Sequence, residues 1–297
     1  MTVSVVIPVY NGATVLAQQL ESLVRERSRP GSPPFEVVIA DNGSSDTSVV
    51  VARSYAGRLD LRVVDADDRR GQAHARNVGA SAASHELLLF LDQDDEVGPG
   101  YIATMAAALC NQSFVAARMD CVALNPGWRQ HVRTLAQTSA LADGPDGARW
   151  GYGCTLGIRR PTFEALGGFD ADLPVRAGED VEFCTRAHAA GVKLAFVPDA
   201  VLHYRFPHRL GSILRQGHTY GLAGAYVEER AGRRTPSSFT STVRAMLGPL
   251  RLIIIGPSIG TRAHGLFLLG RALGAGRTRR QFGSAAPAAA LGSSDVG

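Results

Sequence analysis

The first 110 residues alternate short apolar runs with stretches of helical period. Val3–Pro8 reads as a buried strand. Ala13–Arg25 sets Leu16, Leu20 and Leu23 at spacings of four and three, an amphipathic helix. The alternation continues with a strand over Phe35–Ala40, a helix over Thr47–Tyr55 capped by Ser45 or Asp46, and a strand over Leu61–Val64. A helix over Gln72–Ser81, a strand over Glu86–Leu91 and a helix over Pro99–Leu109 complete it. Such alternation predicts an α/β domain with a mainly parallel sheet. Beyond it, Phe114–Val122, Thr155–Ile158 and Lys193–Val197 read as strands, Val181–Gly191 as a helix, and Asn125–Gly153 as loop-rich. From about residue 209 the pattern is helical, broken at Pro236, Pro249 and Pro257, and the Ala, Gly and Ser-rich residues 284–297 predict a disordered tail.

Composition changes this picture in two places. The four cysteines, Cys110, Cys121, Cys154 and Cys184, include no pair at the spacing of a zinc or redox site, which suits a reduced, cytoplasmic chain. There is no signal-like start, and no apolar run reaches the roughly 18 residues of a spanning helix. Charge is uneven: the net +4 conceals ten arginines and no acid between Arg230 and Arg280, so the rest of the chain is net acidic. With the apolar clusters Leu250–Ile255 and Leu266–Leu269, residues 230–280 predict either attachment to an anionic membrane surface or packing on the acidic body. Nucleic acid is not an expected partner, because no stacking-aromatic pattern accompanies these arginines.

In open α/β sheets a ligand sits beyond the carboxyl ends of the strands. There this chain carries Asn11, Asp41, Asp65 to Asp68 and Asp92 to Asp95, a carboxylate-rich crevice. It has no G-x-G-x-x-G after the first strand and no phosphate-binding G-x-x-x-x-G-K-[ST]. Carboxylates facing a phosphate require a metal between them. Four motifs follow in order: Ser4-Val5-Val6-Ile7-Pro8-Val9-Tyr10-Asn11, Asp41-Asn42-Gly43-Ser44-Ser45-Asp46, Leu91-Asp92-Gln93-Asp94-Asp95 and Gly178-Glu179-Asp180. In these motifs, residues 3–205 resemble glycosyltransferase family 2, inverting enzymes of the GT-A fold.

The resemblance implies a role for each motif. Pro8, Tyr10 and Asn11 line the nucleotide-base pocket. Asp41 accepts the imide N–H of uracil or thymine, unless it only starts the Gly43-Ser44 turn. Asn42 departs from the second aspartate usual in relatives and bears on base or ribose contacts. Asp92, Gln93 and Asp94 form the DXD-type element: Asp92 meets the ribose or the metal's water shell, and Asp94 binds Mn²⁺ or Mg²⁺, to which hard oxygen ligands are suited. His203 is the second metal ligand, with His208 as competitor. Asp95 reads as a cap or turn residue. Arg76 serves the donor or pairs with Asp67 or Asp68. Asp180 is the general base that takes the acceptor proton, and Glu179 supports it or meets the acceptor.

The function expected is inverting, metal-assisted transfer of a sugar from a UDP- or dTDP-sugar, in polysaccharide, glycolipid or other glycoconjugate synthesis. Gln93 points towards rhamnose. The acceptor is a glycan, a lipid-linked sugar or a small molecule, with Trp150, Tyr152 and Arg176 as its contacts. The expected layout places the nucleotide-sugar half in residues 1–110, the acceptor-binding and catalytic half in 111–208, and a basic helical extension in 209–283. Such an extension suits peripheral attachment at the inner face of the plasma membrane. The competing functions are a sugar-nucleotide pyrophosphorylase, for which only Gly12 stands in the place of a glycine-rich basic loop, and a non-catalytic nucleotide-sugar-binding protein.

Overall fold

A computed structural model describes residues 2–133, 135–174, 177–230 and 239–282. The elements run β1 (Val3–Val9), α1 (Leu16–Arg27), β2 (Phe35–Asp41), α2 (Ser48–Arg53), β3 (Asp60–Asp65), α3 (Gln72–Ala82), β4 (Leu87–Phe90), β5 (Glu96–Val97), α4 (Tyr101–Asn111) and β6 (Phe114–Asp120). After them come β7 (Ala142–Asp143), β8 (Arg149–Trp150), β9 (Leu156–Arg159), α5 (Arg160–Ala165), α6 (Glu179–Ala189), β10 (Ala195–His203), α7 (Leu210–Arg230), α8 (Phe239–Ile255) and α9 (Ile259–Phe282). Every long element expected from periodicity is present. The short β5, α5 and the β7–β8 hairpin are additions, too brief to leave a period in the sequence.

Eight strands form one sheet in the order β3-β2-β1-β4-β9-β6-β10-β5. β1 pairs in parallel with β2 and β4, β2 with β3, and β6 with β10. β9 and β5 run against them. The sheet is therefore mainly parallel, as expected, and most connections return over a face through a helix. β1 and β2 are buried along their whole length. Val3, Val5, Ile7 and Val9 enter the core under α1 and α4, while Val6 enters the core with Phe90, Phe163 and Phe183 from the opposite face. Pro8 stands beyond Val6, the last β1 residue paired with β4, so its missing N–H interrupts no bond on that edge.

The C-terminal helices pack through glycine. A Cβ at Gly217 or Gly221 of α7 would stand 2.1 Å from the Phe267 or Arg271 carbonyl oxygen of α9. Gly270 and Gly274 of α9 make the reciprocal approach, at 2.3 and 2.1 Å from the Leu214 and His218 carbonyls. Any side chain there would force the helices apart. The close crossing draws Phe267 into the same core as Ile213 and Leu202. Pro249 does not end α8 as the sequence suggests; the helix continues through it to Ile255. The contact between α8 and α9 supports the turn that lacks that N–H. Pro257 does separate α8 from α9, while Pro236 and the tail 284–297 lie outside the described residues.

Candidate active site

Beyond the carboxyl ends of β4 and β10 opens a cavity of about 380 Å³. Two clusters line it, Gln72 and Arg76 bonded to Asp92 and Arg133 among the rings of Tyr152, Tyr204, Tyr220 and Phe267, together with Trp150 and with Gly178 to Val181 at the start of α6. Two of the four motifs thus line one cavity.

Arg76 ties two motifs together. It is 1% exposed, its Nη2 donates to Asp92 Oδ1 at 2.8 Å and its Nη1 to Glu179 Oε1 at 2.6 Å. Burial works against its charge, but Asp92 and Glu179 outweigh that and hold its pKa above the ordinary value. The alternative pairing with Asp67 or Asp68 is not made: Asp68 meets His74 instead, at 2.8 Å. The reason is depth, because Arg76 lies on the buried side of α3. Gln72, one turn earlier, donates to the same Asp92 Oδ1 at 2.7 Å.

Asp180 stands in the first turn of α6, after Gly178 at φ +86°. Its Oδ2 accepts from the Gly153 N–H at 3.2 Å and its Oδ1 from the Val181 N–H at 2.8 Å. Burial, and then the neighbouring Glu179 carboxylate, push its pKa up to about 7; Arg76 and the two N–H groups oppose them. A carboxylate so held can take a proton near neutral pH.

The metal question turns on Asp92 to Asp95. Burial and the Asp92 carboxylate push Asp94 up to about 6. Asp95 is 1% exposed, accepts from the Arg205 N–H at 3.0 Å and leaves Oδ2 buried without a partner. It therefore anchors the end of β10 and caps no helix. A divalent cation fits this chemistry: clustered hard oxygens repel one another, and one buried oxygen lacks a donor. Among the described residues, the group of three ligand-type side chains within reach of one another is Asp92, Asp95 and Cys154. Cys154 suits a hard cation poorly, since burial pushes its thiol pKa well up. His203 is not in that group. Its Nδ1 lies 2.7 Å from Asp120 Oδ2, and its Nε2 faces Gly98, where a Cβ would stand 3.3 Å away.

The remaining donor-side residues form a backbone-rich rim. Both Asp41 oxygens accept from the Ser44 N–H, at 3.3 and 3.2 Å, so the turn contact exists. Asn42 donates to the Ala66 carbonyl and, at 2.7 Å, to that of Arg69, and accepts from the Gly71 N–H at 2.9 Å. Asn11, at φ 49°, accepts from the Ser45 N–H at 2.8 Å. Gln93 spends both ends of its amide on the Tyr10 main chain, at 2.9 and 3.3 Å. The Tyr10 ring is 51% exposed beside the Arg70 guanidinium, 4.7 Å from its centroid. Pro8 is buried in β1.

On the acceptor side, Trp150 and Tyr152 line the cavity edge to face, with ring centroids 4.9 Å apart. Arg176 lies outside the described residues. Sequence reasoning missed Arg133, Tyr204, Tyr220, Phe267 and Arg271, all on this wall. They come from four separate segments, and no local motif joins them.

Residues 4–167 match the family model described as Glycosyl transferase family 2. The chain belongs to that family. It is 34% identical over 222 residues to validoxylamine A glucosyltransferase of Streptomyces hygroscopicus subsp. limoneus, covering 64% of this chain and 49% of the relative. The chain thus spans about half the length of that relative. It is 30% identical over 217 residues to the uncharacterized glycosyltransferase YwdF of Bacillus subtilis (strain 168), covering 69% and 75%. Among solved structures it is similar to the mannosyltransferase PcManGT from Pyrobaculum calidifontis in complex with GDP-Man and Mn²⁺, with a TM-score of 0.60, 21% identity, and 95% and 88% of the two chains covered. S. aureus TarS 1–349 in complex with UDP-GlcNAc gives a TM-score of 0.55 at 18% identity, with 86% and 73% covered. The fold is that of the GT-A glycosyltransferases.

Proposed function

We propose that the chain transfers a sugar from a nucleotide-diphosphate donor to an acceptor hydroxyl by single displacement, with inversion. The observation that carries this reading is Asp180: a carboxylate in the cavity wall, pushed to about 7, next in the chain to the Glu179 that Arg76 holds. In this reading Asp92 and Asp94 hold a divalent cation, Mn²⁺ or Mg²⁺, which when bound neutralises the departing diphosphate. Tyr10, with its exposed ring, offers a stacking face to the base, and Asp41 accepts the imide N–H of uracil or thymine. Asp180 takes the acceptor proton as the hydroxyl attacks, and Glu179, fixed by Arg76, keeps that base poorly ionised until the acceptor arrives. The sugar is a hexose or deoxyhexose, with rhamnose the first to test. Residues 1–110 supply the donor side, and 111–208 the acceptor side together with α7 and α9. The relatives named above, a glucosyltransferase and nucleotide-sugar complexes among them, support the reading at the level of class.

The test is binding and turnover of UDP-, dTDP- and GDP-sugars with Mn²⁺ or Mg²⁺. Donor hydrolysis should require the metal, stop in excess EDTA and return on its replacement; undiminished activity in EDTA removes the metal role. Consumption of a nucleoside triphosphate with a sugar phosphate would instead indicate a pyrophosphorylase.

A membrane surface is the second partner we propose. No helix among the described residues is long and apolar enough to cross a membrane. Yet Val243, Leu247, Leu250 and Ile254 lie exposed at spacings of four, three and four along α8, with Arg244 and Arg251 among them also exposed. An apolar stripe flanked by arginine is suited to lying on anionic lipid. The full chain should sediment with vesicles in proportion to their anionic lipid, and the double variant Leu247→Glu, Ile254→Glu should not. Sedimentation indifferent to lipid charge and to this variant would remove the proposal.

A further inference from the structure

Arg133 is 5% exposed, lines the cavity, and has no carboxylate partner among the described residues. Its guanidinium carbon lies 4.8 Å from the Tyr220 ring centroid, 5.2 Å from that of Phe267, and 5.6 Å from those of Tyr152, Tyr204 and Phe206. Its Nη2 donates to the Tyr204 hydroxyl at 3.2 Å, and its Nε is buried without an acceptor. A guanidinium cannot shed its proton, so the site keeps a full positive charge. Aromatic faces offset part of the cost of burying that charge, but they do not neutralise it. The other buried guanidinium of the cavity, Arg76, is matched by two carboxylates. The contrast lies in the immediate contacts of Arg133, which are aromatic, although Asp143 and Glu228 also line the cavity.

The position of Arg133 says which substrate carries a matching negative charge. Tyr152 and Tyr220 pack against Arg133, and Gly153, which follows Tyr152, donates its N–H to Asp180 at 3.2 Å. Asp92 is held by Arg76, whereas the contacts of Arg133 are with aromatic side chains. Arg133 therefore stands with the proposed base rather than with Asp92, which is where the transferase reading puts the acceptor. Arg271 of α9 lines the same cavity and adds a second cation there.

We infer that the acceptor bears an oxyanion, a carboxylate or a phosphate, seated against Arg133 with Arg271 at its rim. This rests on the transferase reading above and deepens it. It also gives a role to the packed pair α7 and α9, whose Tyr220, Phe267 and Arg271 line the cavity.

The experiment is calorimetry on the full chain saturated with UDP and Mg²⁺, titrated with methyl glucoside, glucuronate and glucose 6-phosphate. At least one anionic sugar should bind about tenfold or more tightly than the neutral glycoside, with a preference that shrinks in high salt. The carboxylate and phosphate arms identify which oxyanion fits. Arg133→Gln should abolish the preference and leave the Kd for UDP in place, while Arg133→Lys should retain part of it. Equal or absent binding of charged and neutral sugars overturns the inference, and does so on the native protein even if Arg133→Gln fails to fold. A preference that survives in folded Arg133→Gln overturns it too. So does mutual exclusion between UDP and the anionic sugars, which would assign Arg133 to the donor diphosphate. Failure of UDP to bind at all would instead defeat the transferase reading, and this inference with it.

Discussion

The two walls of the cavity each bury one guanidinium and surround it in opposite ways. Arg76 is held by the carboxylates of Asp92 and Glu179, at 2.8 and 2.6 Å. Arg133 is held by five aromatic rings and a tyrosine hydroxyl. The first arrangement closes on itself: it fixes Asp92 and Glu179 and leaves little charge over. The second leaves a positive charge beside a cavity. One wall is thus built to position its own side chains, and the other to receive something.

The largest effect expected lies between the walls. Asp180→Asn keeps the shape of the base and removes its proton affinity. Turnover should fall by roughly 10²–10⁴-fold with donor binding preserved. Because Asp180 titrates at about 7, kcat/KM of the native protein should rise with pH through neutrality and level off above it. Stability should move the other way. The folded state keeps this proton between the ordinary carboxylate range and about 7, where the unfolded chain has lost it. Raising the pH across that window therefore costs stability, and Asp180→Asn should melt above the native protein at pH 8 but not at pH 4. Near-normal turnover in folded Asp180→Asn would end the assignment.

Arg76→Met strands two carboxylates in a buried site and should cost about 3–5 kcal/mol in urea unfolding. Arg133→Met strands no carboxylate. It replaces a costly buried cation by an apolar chain among aromatic rings, and should change stability by only about 1 kcal/mol, in either direction. Equal losses for the two variants would mean that Arg133 has a structural counter-charge after all.

The same contrast explains what the sequence discloses. Strands β1 to β4 and their carboxyl-end residues are legible because each is set by a local run: Leu87 to Leu91 followed at once by Asp92, or Phe35 to Ala40 by Asp41. Asp92 and Asp180 announce themselves through such short motifs. Arg76 is visible, but its depth is not, since burial depends on how α3 lies on β1 and β2. For His203 the fold adds what chain position does not show: the register of β10 with β6 sets it opposite Asp120, whose Oδ2 lies 2.7 Å from its Nδ1. The Arg133 cage is illegible altogether. Its rings stand at 152, 204, 206, 220 and 267, and only the glycine-lined crossing of α7 and α9 brings the last two to it.

The smallest effect sharpens the donor side. Asn42 stands where most relatives resembled by the sequence have a second aspartate, and the structure supplies a local reason. Its amide nitrogen donates to the Ala66 and Arg69 carbonyls while its oxygen accepts from the Gly71 N–H. These three bonds pin the loop that carries Arg70, whose guanidinium covers the Tyr10 ring. An aspartate keeps the acceptor but turns the donor into a second acceptor facing two carbonyls. Asn42→Asp should therefore cost about 1–3 kcal/mol. Those carbonyls should also raise the new carboxyl's pKa, because a protonated carboxyl regains one donor. Its stability deficit should consequently narrow as the pH falls below that raised value, in contrast to Asn42→Ala, whose deficit should stay level. Looser placement of Arg70 should weaken UDP binding modestly in both variants. Unchanged stability and unchanged UDP affinity in Asn42→Asp would show that the loop is held by its backbone alone.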